Sequence, residues 1–117
     1  MPDSVESRKP LLSEFVDDPD MRELVEMFVD EMPGKIAGFE SALSGGKLDD
    51  LRRLAHQLKG AAGGYGFGVV GDAAGRLEER LVSSPAGSDA SMFLEQVRRD
   101  VSELLDLCRS VRARSQD

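Results

Sequence analysis

Apolar residues return every three or four positions along nearly the whole chain, and no useful stretch alternates apolar with polar. That spacing predicts helices and no sheet. "DDPDMRELVEMFVDEM" opens with Asp18 as expected N-cap and Pro19 at the first helical position, where its missing N–H is harmless. Its apolar stripe is Met21, Leu24, Val25, Phe28 and Met32. Pro33-Gly34 is expected to break or kink the helix. A second segment with Ile36, Phe39 and Leu43 follows, and "SGG" at 44–46 ends it. A third segment carries Leu48, Leu51, Ala55, Leu58, Ala62 and Tyr65, and a fourth Val70, Ala74, Leu77 and Leu81. After "SSPAGSD", with Ser88 as expected N-cap, a long last helix runs through Val97, Val101, Leu104, Cys108 and Val111. Arg109, Arg112 and Arg114 at its end suit the negative pole of the helix dipole. Narrow apolar seams joined by short connections describe an antiparallel bundle.

The chain has 117 residues, enough for one modest core, and 40% of them are apolar. With one Tyr, five Phe and no Trp, that core must be built from Leu, Val, Ala and Met; Met21, Met27, Met32 and Met92 are expected in it. The net charge of −7 argues against nucleic acid, whose phosphates call for clustered Lys and Arg. No apolar run approaches the roughly 18 residues of a membrane span. Residues 1–10 read as a loose polar tail with no secretory signal, and Cys108, the one cysteine, has no disulfide partner. A cytoplasmic domain over residues 11–117 is the expectation.

The only histidine, His56, lies in "LAHQLKGAAGGYGFG". On a helical wheel it falls roughly 130° from the centre of its segment's apolar stripe, on a solvent-facing side. Arg52 and Arg53 precede it by a turn, Lys59 and Gly60 follow by a turn, and Gly63 by two. Helical side chains lean toward the N-terminus, so residue 60 would overhang the ring. Gly60 leaves that space clear, and Gly63 extends it. Spacing alone leaves two readings open. One is an accessible imidazole among cations, ready for a bulky anion. The other is a solvated histidine beside glycines that serve close helix packing and, at Gly64, Gly66 and Gly68, a turn.

"GFGVVG" matches G-x-G-x-x-G, but a helix precedes it where a dinucleotide fold needs a strand. No G-K-[ST] phosphate loop occurs. One His and one Cys, far apart, make no metal site. Cys108 reads as core packing.

"AHQLKGAAGGYGF" followed by "AGRLEERL" resembles the phosphoacceptor motif of histidine-containing phosphotransfer (HPt) domains, over about residues 11–110. His56, Lys59, Gly60, Gly66 and Leu77-Glu78 stand at the motif's positions. Ala61 replaces a frequent Ser, and Gly64 a common Asn. The resemblance implies an all-α, up-and-down four-helix bundle with an additional short N-terminal helix. It implies His56 as phosphoryl acceptor, Lys59 stabilising phosphoryl oxygens, and Glu78 orienting the imidazole through its other nitrogen. Arg52 joins Lys59 on wheel geometry alone. Gly60 and Gly63 would admit the donor, and Gly66 would form the turn.

The same resemblance implies a phosphocarrier without kinase activity, with no cofactor of its own; Mg²⁺ is expected on the partner. Partners would be response-regulator receiver domains, with a hybrid sensor histidine kinase as a further one. No nucleic acid or membrane is expected, and the chain should be a monomer. An adaptor or regulatory bundle that binds such proteins without carrying phosphate is the alternative.

Overall fold

The computed structural model describes residues 10–83 and 90–114. The elements in order are β1 (Leu11–Leu12), α1 (Arg22–Ser44), α2 (Leu48–Gly64), α3 (Gly68–Val82), α4 (Ala90–Ser110) and β2 (Val111–Arg112). Each helix packs on the next and α1 closes on α4, so the four helices form a bundle. Buried Val25, Phe28, Met32 and Phe39 of α1 meet Leu51, Ala55, Leu58 and Ala62 of α2 in the core. Val70, Ala74 and Leu77 of α3 and Val97, Val101, Leu104 and Cys108 of α4 complete it. Phe28 stacks on Phe67 with ring centroids 5.4 Å apart and an interplanar angle of 21°. Across the bundle Arg80 of α3 pairs with Asp100 and Gln96 of α4.

Several expectations are corrected. The segments on either side of Pro33 are one 23-residue helix, so Pro33 does not break it. Proline forfeits a backbone hydrogen bond in a helix interior, at about 3 kcal/mol. Here Pro33 faces solvent while apolar residues before and after it are buried, and that burial holds the helix together. The additional short N-terminal helix is not found among the described residues. Residues 13–21 instead run through turns, with Val16 N–H donating to Ser13 O and Asp18 N–H to Phe15 O. Asp18 caps one of these, accepting from Asp20 N–H at 2.9 Å, and α1 starts at Arg22 rather than at Pro19.

Leu24, Met27 and Met92 are exposed rather than core, at 42%, 55% and 59%. Met21 is half-buried. Leu24 and Val25 are adjacent, about 100° apart on the helix, and only Val25 faces inward. Val111 is buried but belongs to β2, which pairs in parallel with β1 (Leu11 opposite Val111, Leu12 opposite Arg112). Such a two-residue strand is too short to leave a periodic signal. Of the tail expected over residues 1–10, all but Pro10 lies outside the described residues, as does the Ser88 cap.

Two glycines with positive φ, Gly46 (67°) and Gly66 (88°), close α1 and α2. After α2, Gly66 N–H donates to Gly63 O and Phe67 N–H to Ala62 O, the bond pair of a Schellman cap. The N-terminal segment clamps this cap. Glu14 N–H donates to Gly66 O at 2.9 Å, and the Ser13 hydroxyl donates to Tyr65 O at 2.6 Å. A Cβ at Gly66 would stand 2.3 Å from Ser13 Oγ.

Candidate functional site

α2 carries His56 on the face expected of it: the side chain is 69% exposed. Its Nδ1 lies 2.8 Å from Glu78 Oε2 on α3. An ionised carboxylate only accepts hydrogen bonds, so Nδ1 bears the proton and the lone pair of the neutral ring sits on Nε2. Glu78 is itself largely covered, its side chain 18% exposed. The other carboxylate oxygen, Oε1, faces the Lys59 ammonium at 3.9 Å, an ion pair beyond hydrogen-bond reach. One half-buried carboxylate on α3 therefore joins an imidazole and an ammonium from successive turns of α2.

Close packing of α2 and α3 makes this possible. A Cβ at Gly71 would meet Lys59 O at 3.3 Å and Gly63 N at 3.5 Å, so the missing side chain lets the backbones approach. Gly66 and Gly71 of "GFGVVG" thus serve a helix cap and a helix crossing, which accounts for two of the three glycines that mimic a dinucleotide motif.

A Cβ placed on Gly60 or Gly63 meets nothing within 4 Å. Both lie exposed on the His56 face, leaving open space beside the ring. Arg52 is exposed one turn before His56 and, among the described residues, does not join the His56–Glu78–Lys59 group. Arg53 pairs instead with Asp50 at 2.7 Å. Cys108 is buried, and that burial pushes its thiol up to about 12, so it is held neutral and inert. Among the described residues no three His, Cys, Asp or Glu side chains gather as a metal would require. None of the helices there is long and apolar enough to cross a membrane.

The structure brings together His56, Lys59 and Glu78 and leaves Arg52 outside. Sequence reasoning passed over Ser13, which clamps the Gly66 turn, and Gly71 and Gly75, which seat Lys59. Glycines four apart inside a helical run were the available signal for the last two, since each costs about 1 kcal/mol against alanine there.

No curated protein and no solved structure matches the chain. The model of the Hpt domain family matches residues 23–113, a span that holds all four helices but for the first residue of α1. On that match the chain belongs to the Hpt domain family, whose members serve histidine phosphotransfer in phosphorelays.

Proposed function

We propose that this chain is a phosphocarrier that accepts a phosphoryl group on His56 from a receiver-domain aspartate and passes it to another receiver. The observation that carries the reading is the 2.8 Å contact between Nδ1 and Glu78, made by a ring that is otherwise open to solvent. It fixes the proton on Nδ1 and leaves Nε2 as the nucleophile. The Nε2 lone pair attacks phosphorus; the Nε2–P bond forms as the bond from phosphorus to the aspartyl oxygen breaks, and the carboxylate departs with the electron pair. The ring gains positive charge, and Glu78 offsets it through the Nδ1–H hydrogen bond. Lys59 neutralises phosphoryl oxygens. The reverse attack, by a second receiver's carboxylate, returns the ring to its neutral form.

Gly60 and Gly63 supply the clearance that an in-line approach requires, and Gly66 holds the turn between the two helices of the site. Phosphoryl transfer also needs a metal, which the receiver supplies in this reading. Arg52, exposed one turn from His56, reaches phosphate only in the complex. The chain acts as a monomer in the cytoplasm, with residues 11–117 as its domain. The lone buried cysteine is in keeping with a reducing compartment.

The test is transfer from phosphorylated receiver domains with Mg²⁺ to the wild type and to His56→Gln. Acid-labile, alkali-stable label on the wild type alone is the expected result. Absence of label across a panel of competent receivers that still bind would overturn the carrier reading in favour of an adaptor.

A further inference from the structure

Along α3, Gly71, Gly75 and Glu78 succeed one another at intervals of four and three, a single stripe of the helix. Lys59 of α2 lies along that stripe. Its carbonyl oxygen would be 3.3 Å from a Cβ at Gly71. Its Cδ, Cε and Cγ would be 3.4, 3.6 and 3.9 Å from a Cβ at Gly75. Its ammonium ends 3.9 Å from Glu78 Oε1. Backbone, stem and charge of one lysine therefore meet three successive positions of the facing helix.

A lysine side chain has about 2 kcal/mol of rotamer entropy and no preorganised geometry. At 58% exposure, burial does not hold Lys59 in place. What limits it is the bare backbone at Gly75 beneath its methylenes and the carboxylate beyond. We infer that Gly75 is a positioning residue for phosphoryl transfer, the bed on which the Lys59 stem lies so that its ammonium stands at the carboxylate that orients His56. The inference rests on the reading of His56 as phosphoryl acceptor. It gives a reason for a helix-interior glycine that neither the cap nor the Gly71 crossing explains.

The contact distances define a graded test. A methyl at Gly75 would touch the stem at ordinary van der Waals distance, so Gly75→Ala should leave Lys59 where it is. The branched carbons of Gly75→Leu would claim the stem's own space and drive it off. Both substitutions favour the helix intrinsically, and Gly75→Gln repeats the bulk with a polar end should Leu fold poorly.

Transfer to His56 should stay within about twofold of wild type in Gly75→Ala. It should fall about tenfold in Gly75→Leu and Gly75→Gln, the scale of one charge-assisted hydrogen bond lost. In a Lys59→Ala background the same substitutions should change nothing further. NMR supplies a readout that needs no phosphate: cross-peaks from Gly75 Hα to the Lys59 methylenes in the wild type. These should be absent in Gly75→Leu, while the His56 Nδ1 shift that reports the Glu78 contact persists. Wild-type transfer in Gly75→Leu, an equal loss with Lys59 already removed, or missing cross-peaks in the wild type would each overturn the inference. If His56 takes no phosphoryl group in the wild type, the functional reading falls and this role with it. The cross-peaks then report separately whether Lys59 lies on Gly75.

Discussion

Gly60→Ala should make the protein more stable and a worse phosphocarrier. Residue 60 lies inside α2, exposed, and an added Cβ meets no atom within 4 Å, so the folded chain has no steric objection to a methyl. Alanine exceeds glycine in a helix interior by about 1 kcal/mol. For a domain of this size that is a rise of roughly 3–6 °C in melting temperature. The same methyl occupies the space one turn beyond His56, over which a residue at that position leans. A displacement of about 1 Å from the in-line geometry can cost as much as a hundredfold in rate. A loss of about tenfold with alanine, deepening with Gly60→Val, is therefore expected. Differential scanning calorimetry and single-turnover transfer from a phosphorylated receiver, run on the same preparations, measure both sides. A lower melting temperature in Gly60→Ala would contradict the open geometry. Unchanged transfer in Gly60→Val would show that the gap beside the imidazole is not an entry for the donor.

At Gly66 the opposite balance holds. Its φ is +88° and a Cβ would stand 2.3 Å from Ser13 Oγ, so Gly66→Ala combines left-handed strain of about 1–2 kcal/mol with loss of Ser13 bonds at about 1 kcal/mol each. Calorimetry should show a fall of roughly 10–20 °C. Gly46→Ala, also at positive φ but with nothing within 4 Å, should lose distinctly less. Glu78→Gln keeps an oxygen acceptor for Nδ1–H, whereas Glu78→Leu has none. Nitrogen NMR should therefore find the Nδ1–H tautomer of neutral His56 retained in the first and diluted in the second, with transfer slower in Leu than in Gln. For Cys108, burial pushes the thiol up to about 12, while an unfolded thiol ionises near pH 8.5. The unfolded chain thus releases a proton that the folded one keeps, and stability falls as pH rises from about 8.5 toward 12. Urea titrations at pH 8 and 10 should show about 2 kcal/mol more loss in the wild type than in Cys108→Ala; equal losses would refute it.

What the sequence made legible was local and periodic. The seam Val97, Val101, Leu104 and Cys108 is buried as its spacing predicts, and His56 faces solvent as its angle predicts. Periodicity gives the centre of a buried face but not its width, so Leu24 and Met27 at the margin of α1 were misjudged. Propensity gave Pro33 as a break or a kink; the helix does not break there, because burial on both sides outweighs one missing hydrogen bond. The rest was non-local. Ser13 acts on Gly66 from a segment with no periodic signal, and Gly75 acquires meaning only once α2 is laid against α3. For the site, His56, Lys59 and Glu78 came from a family motif. The distances that make them one group came from the packing of two helices.

The most direct measurement is nitrogen and phosphorus NMR of the chain after exposure to a phosphorylated receiver, identifying which atom carries phosphorus. The account predicts phosphorus coupled to Nε2 of His56, with the proton still on Nδ1 beside Glu78. Phosphorus on Nδ1, on another residue, or nowhere while the receiver remains bound would contradict it.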